Sequence, residues 1–138
     1  MLHLVKLAVG IRDVAHLAAV QQTRAAADPP LRHLTRSAPR RAGEVLASGS
    51  IYWSIAGTIQ VRQRILAIEP ATRPDGSACT ALVLEPALTR VLGQPIKPFQ
   101  GWRYLRPEDA PPDLAEAAAG TDDMPAEMQA ALRALGLL

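Results

Sequence analysis

Hydrophobic and polar positions follow two different periods in the first third of the chain. Residues 2–8 alternate one by one, which predicts a strand. Residues 14–27 place their apolar positions on one side, which predicts an amphipathic helix with Asp13 as its N-cap. An extended piece at residues 31–36 and a short helix at 40–47 follow.

Strands dominate the middle of the predicted structure. Alternating apolar residues predict strands over residues 51–55, 58–68 and 78–84, and a last strand over 99–105. The sequence Pro-Asp-Gly-Ser at residues 74–77 is typical of a turn, because Asp and Gly tolerate a positive φ.

The strand at residues 58–68 carries the best-defined polar surface. Its odd positions form one apolar face, which holds Ile59, Val61 and Ile65. Gln60, Arg62 and Arg64 point the opposite way, since neighbouring side chains of a strand alternate between faces. Gln63 interrupts the apolar face, and the sequence leaves open whether it marks a bulge or a buried polar contact.

The chain changes character after Arg106, where prolines precede two alanine-rich helical stretches at residues 112–119 and 125–135. The second stretch carries an apolar stripe of Met124, Met128, Ala131, Leu132 and Leu135. We therefore predict an α+β domain over residues 1–110 and an acidic helical extension over 111–138.

The balance of basic and acidic residues also changes after Arg106. Up to Arg106 the chain has 14 basic and 6 acidic residues, whereas residues 107–138 have 1 basic and 7 acidic residues. The excess is almost entirely arginine, whose planar guanidinium grips phosphate and stacks on rings. This distribution favours a functional basic surface, although a solubility role or an arginine-rich genome would produce the same excess.

The five aromatic residues also cluster. They are Tyr52, Trp53, Phe99, Trp102 and Tyr104. Rings beside arginines are typical of a surface that stacks nucleobases. The same rings could equally supply bulk to a core that otherwise consists of small aliphatic residues.

Length and composition limit the remaining possibilities. The 138 residues, 49% of them hydrophobic, suit one compact domain, and a single cysteine, Cys79, excludes an internal disulfide. No apolar run approaches the roughly 20 residues that cross a bilayer, and we expect a cytoplasmic protein without a membrane partner. No spacing of histidines and cysteines indicates a metal site, and no glycine-rich phosphate loop indicates a nucleotide cofactor, so we expect neither.

Two segments resemble a known family. Residues 49–65, GSIYWSIAGTIQVRQRI, and residues 98–114, PFQGWRYLRPEDAPPDL, are similar to the characteristic stretches of an alphaproteobacterial family catalogued as a domain of unknown function. The order of elements is also similar to that of the PUA-like superfamily, including its ASCH and EVE branches. This second resemblance implies a small mixed β-barrel or curved sheet with flanking helices and a C-terminal helical tail, and a cleft that binds RNA or modified bases.

The sequence thus predicts a non-catalytic domain that binds nucleic acid, with RNA preferred over DNA, in an arginine-lined cleft with aromatic stacking. The candidate binding residues are Arg36, Arg40, Arg41, Trp53, Gln60, Arg62, Arg64, Trp102, Arg103 and Tyr104. One alternative is a protein-interaction module or homodimer that uses the apolar stripe at residues 124–135 or an exposed edge of the barrel. Another is an enzyme acting on a nucleotide-like phosphorylated molecule, which needs Glu69, Glu85 or His33 beside the arginines.

Overall fold

The computed structural model of the chain describes residues 1–119, which form a mixed seven-stranded sheet with three helices. The strands are β1 (His3–Leu7), β2 (Arg32–Thr35), β3 (Ser50–Ile55), β4 (Thr58–Thr72), β5 (Ala78–Leu84), β6 (Thr89–Pro95) and β7 (Trp102–Leu105). The helices are α1 (Val14–Ala27), α2 (Ala42–Leu46) and α3 (Leu114–Ala119), with a 3₁₀ turn at Pro107–Asp109. The predicted α+β class is confirmed, and the predicted helix at residues 125–135 lies outside the described residues.

The sheet is built around β4 and β1. Its strands lie in the order β2-β5-β4-β3-β1-β7, and β6 pairs with β4 outside this path. All neighbours are antiparallel except β1 and β3, which run parallel. The long β4 pairs with β3 and β6 through its first half and with β5 through its second half, so it connects the two parts of the sheet.

Strand β6 was absent from the sequence prediction. Only Val91 of this strand is buried, and its remaining positions show no regular alternation, partly because Gly93 and Pro95 interrupt it. The strand is held by pairing with β4 rather than by an apolar pattern of its own.

A β-bulge changes the face on which Ile59 lies. Trp53 pairs with Val61 and Ser54 pairs with Ile59, so Gln60 has no opposite residue on β3. The prediction that Ile59 shares a face with Val61 is therefore wrong. Val61 packs in the large core beneath α1, whereas Ile59 joins Tyr52 in a smaller core on the other face of the sheet.

Gln63 makes a buried polar contact, which resolves the question that the sequence left open. Its side-chain amide is 1% exposed and exchanges two hydrogen bonds with the amide of Gln21 on α1. It also accepts from Trp53 Nε1 at 3.1 Å and donates to the carbonyl oxygen of Glu85 at 2.8 Å. Helix α1 is thereby joined to the sheet by polar groups as well as by Leu17.

The sheet does not close into a barrel within the described residues. Of the two predicted forms, a mixed β-barrel or a curved sheet, the barrel is therefore not formed in this part of the chain. Two of its edge strands, β2 and β7, approach each other without pairing in this part of the chain. Trp102 Nε1 instead donates to the carbonyl oxygen of Ser37, which follows β2, at 3.1 Å. We call this junction the seam.

The segment after β7 covers the face of the sheet opposite α1. Asp113 forms an isolated antiparallel bridge with Val91, and Leu114 is buried. Phe99 and Ala110 pack on the smaller core of that face. None of the helices within residues 1–119 has the length and apolar character needed to span a membrane.

Candidate nucleic-acid interface

A basic cleft runs along the α1 face of the sheet, from the C-terminal end of α1 to the seam. Its larger hollow of about 660 Å³ lies between α1, β2 and the residues that follow β4. A second hollow of about 520 Å³ shares Leu34 and Arg73 with it and ends at Trp102. We define the basic cleft by its charged and aromatic lining, which consists of Lys6, Arg24, Asp28, Arg32, His33, Arg36, Arg73 and Trp102.

Separate elements bring the basic side chains to this cleft. Arg24 projects from the last turn of α1, and Arg73 directly follows β4. Lys6 lies on β1 opposite Trp102 of β7, so both side chains share one face. Five cations thus face one carboxylate among the described lining residues, and that carboxylate, Asp28, pairs with Arg32 at 3.3 Å.

His33 lines the larger hollow of the basic cleft. Its ring packs perpendicular to that of Trp53, with centroids 5.0 Å apart. Burial, followed by repulsion from Lys6, Arg24 and Arg73, lowers the pKa of His33 to about 4. The imidazole is therefore neutral at physiological pH, in a setting of positive charge.

The two ring nitrogens of His33 have different surroundings. Nε2 is buried and has no hydrogen-bond partner among the described residues. His33 lines the larger hollow, and Nδ1 is not among the buried atoms that lack a partner. Burial also lowers the pKa of Lys6, which lines the small cavity of about 110 Å³ beneath His33 and Trp53.

Two of the predicted binding residues line the basic cleft at its seam end. Arg36 is exposed there, and Trp102 is half-buried. The ring of Trp102 packs edge-to-face with that of Tyr104, with centroids 5.1 Å apart. The aromatic cluster predicted from residues 99–104 is thus partly a surface feature, with 37% of Tyr104 exposed.

Trp53 is core rather than surface. It is 3% exposed and belongs to the large core beneath α1, so its ring is not available to stack a nucleobase. Its predicted stacking role does not fit this burial. Its position against His33 gives it a different role, because it fixes one side of the imidazole.

Three other predicted residues lie on the opposite face of the sheet. Arg62 pairs with Tyr52 and Arg64 with Ser50, whereas Trp53 and Gln63 face α1. The guanidinium of Arg62 donates to both carboxylate oxygens of Asp113, at 2.6 and 2.8 Å. Arg64 is exposed. Arg103, on the same face as Val5, lies over the ring of Phe99 with its guanidinium carbon 4.4 Å from the centroid.

The remaining predicted residues belong neither to the lining of the basic cleft nor to the arginines on the opposite face. Gln60 donates to the carbonyl oxygen of Ile55 at 2.9 Å, within the β3–β4 hairpin. Arg40 and Arg41 are exposed before α2, and Arg41 pairs with Glu44. The backbone N–H of Arg41 donates to the hydroxyl of Tyr104 at 3.1 Å, so this region contacts β7. The structure therefore does not bring all ten predicted residues into one site.

Four cations of the basic cleft were missed by sequence reasoning, namely Lys6, Arg24, Arg32 and Arg73. The signal for Lys6 was present, since it is a charged residue on the apolar face of a strand. Nothing local marks Arg24 or Arg73, because their proximity to His33 depends on the curvature of the sheet.

Comparisons with known proteins show the family of the chain but give no activity or ligand. Residues 4–138 match the sequence model of a family described as protein of unknown function (DUF1489). No curated protein and no solved structure matches the chain.

Proposed function

This chain belongs to the family of proteins of unknown function DUF1489, and we propose that it binds single-stranded RNA in the basic cleft. The observation that carries the proposal is the charge of this cleft, which five basic side chains line against one paired carboxylate among the described residues. Phosphate groups supply most of the affinity of nucleic-acid complexes, and such a lining attracts them.

The aromatic end of the basic cleft favours a single strand over a duplex. Trp102 presents a half-buried ring at the seam, beside the exposed guanidinium of Arg36. An unpaired base can stack on such a ring, whereas a base inside a duplex is already stacked on its neighbours. The phosphates on either side of that base would then meet Arg36 and Arg73.

The PUA-like relationship forms part of the same proposal. The support for it is the position of the basic cleft between α1 and a curved sheet, since ligands of that superfamily occupy a cleft between barrel and helices. The open seam departs from a closed barrel.

An enzyme acting on a nucleotide-like phosphorylated molecule is the second candidate. Such an enzyme needs a histidine or glutamate beside the arginines, and His33 lies next to Arg24 and Arg73. Glu69 and Glu85 are exposed and line neither hollow of the cleft. A protein-interaction module based on residues 124–135 falls outside the described residues.

Fluorescence anisotropy with a labelled uridine octanucleotide tests the proposal. We expect binding that weakens steeply with salt, and Arg24→Ala and Arg73→Ala should each weaken it by about 3- to 10-fold at low salt. Arg64→Ala is the matched control, because it removes an exposed arginine from the opposite face. We expect this control to bind within about twofold of the natural chain.

The same assay distinguishes the ligands. Single-stranded DNA and duplex RNA of the same length are expected to bind more weakly than the uridine octanucleotide. No binding at low salt would overturn the proposal, as would equal affinities of the natural chain and both cleft variants. Loss of binding in Arg64→Ala alone would instead assign the interface to the opposite face.

A further inference from the structure

The neutral imidazole of His33 lies in a cationic cleft, and RNA binding alone gives this side chain no role. The charged groups that face His33 come from every surrounding element and are Lys6 on β1, Arg24 and Asp28 at the end of α1, Arg32 on β2 and Arg73 after β4. Four of these five groups are cations, and three of them, Lys6, Arg24 and Arg73, disfavour a proton on the ring by repulsion.

An anion that enters the cleft changes the charge that surrounds His33. A phosphate beside Arg24 and Arg73 would offset their charge and would add a negative charge near Nδ1 of His33. It would also supply the acceptor that an N–H at Nδ1 needs, whereas Nε2 is buried without a partner among the described residues. An N–H at Nδ1 can donate to the phosphate from the neutral or the protonated ring, so it is the negative charge of the phosphate that favours the protonated ring.

We propose, building on RNA binding in the basic cleft, that His33, Arg24 and Arg73 form a phosphate subsite in which phosphate and proton bind together. The proton comes from solvent, is held at Nδ1 of His33 and is donated in a hydrogen bond to a phosphate oxygen. No covalent bond is made or broken. Trp53 positions the imidazole in this subsite, because it packs against the ring and is itself held by Gln63.

The subsite makes RNA affinity depend on pH with a definite sign. The free imidazole takes up its proton near pH 4, and an adjacent phosphate moves this midpoint upward, to about 6 for a typical charge pair. Between these two values binding is accompanied by proton uptake, so affinity rises as the pH falls. We expect binding to be about tenfold tighter at pH 5 than at pH 8.

Nuclear magnetic resonance of the histidine side chains tests the inference in the full chain. The uridine octanucleotide without a terminal phosphate is the probe, because neither its phosphodiesters nor uracil change charge between pH 4 and 8. We expect the titration midpoint of His33 to move from about 4 to about 6 on saturation with this RNA. The midpoints of His3 and His16, which line neither hollow of the basic cleft, serve as internal controls.

A variant and a second probe separate the outcomes. His33→Gln keeps a polar side chain that cannot be protonated, so the affinity of this variant for the RNA should be the same at pH 5 and at pH 8. If RNA binds but the midpoint of His33 stays near 4, the inference is wrong and the proposed function stands. If inorganic phosphate raises the midpoint but RNA does not bind, the subsite is correct and RNA binding is wrong. If neither probe binds, both are wrong.

Discussion

The side-chain amides of Gln21 and Gln63 donate to each other, at 2.9 and 2.8 Å, across the boundary between α1 and β4. With the bonds from Trp53 and to Glu85, both hydrogens and the oxygen of the Gln63 amide are used. A buried amide with this many partners stabilises a unique packing, because any shift of the helix leaves polar groups unpaired.

Gln21→Ala should therefore destabilise the fold by about 2 kcal/mol, since it removes two bonds from a buried amide. The matched control is Gln22→Ala, which changes the neighbouring, exposed residue of the same helix and should alter stability by about 0.5 kcal/mol or less. Urea denaturation of the two variants measures both values. Equal stabilities would show that the amide pair contributes nothing.

Gly49→Ala should destabilise the fold by roughly 3 kcal/mol. A Cβ at Gly49 would collide with the carbonyl oxygens of Leu2 and Val45, both of which are backbone atoms that cannot turn away. Gly43→Ala in α2 is the control, since no described atom outside its chain neighbours and its own helix backbone lies within 4 Å of the added Cβ. Alanine favours a helix over glycine, so thermal unfolding of the control should occur at the same or a higher temperature.

Asp113→Asn should lower stability by about 2 kcal/mol at neutral pH, because it removes a charged partner from Arg62. The hydrogen bonds and charge of Arg62 lower the pKa of Asp113 below its ordinary value. This carboxylate therefore adds stability above the ordinary carboxyl pKa, and that contribution is lost as the pH falls through the lowered value.

The difference between the natural chain and Asp113→Asn should accordingly shrink in acid. Urea denaturation at pH 7 and at pH 3 measures it. A difference that stays constant with pH would mean that the carboxylate charge is not what stabilises the segment after β7.

Trp102→Ala should weaken binding of the uridine octanucleotide by about tenfold, which corresponds to about 1.4 kcal/mol of lost stacking. Trp102→Phe is the informative companion, because it keeps an aromatic ring while it removes the indole N–H that reaches Ser37 and makes the ring smaller. We expect it to bind within about threefold of the natural chain. If alanine is tolerated as well as phenylalanine in the anisotropy assay, Trp102 does not stack a base.

Local patterns predicted most elements because each depends on residues close in sequence. The alternation at residues 51–55 and the N-cap at Asp13, which accepts from the backbone N–H of His16, are examples. The bulge at Gln60 escaped prediction because it depends on the register between β3 and β4, and it moved Ile59 to the other face.

The candidate site was predictable only in part, for a similar reason. Arg36 and Trp102 were among the predicted binding residues. The sequence also indicated His33 as one of the residues that an enzyme would need beside the arginines. The proximity of Lys6, Arg24 and Arg73 to His33 results from the curvature that brings β1, α1 and the end of β4 together. Pairing of Arg62 with Asp113 likewise joins residues 51 positions apart.

The seam also affects how the molecule meets its neighbours. A strand at the edge of a sheet exposes unpaired backbone groups, to which a second polypeptide can add as a further strand. In this fold the β2 and β7 edges face each other, with Trp102 and Ser37 between them. Each of these two edges hinders strand addition to the other, so the geometry that leaves room for a ligand also limits aggregation through β2 and β7.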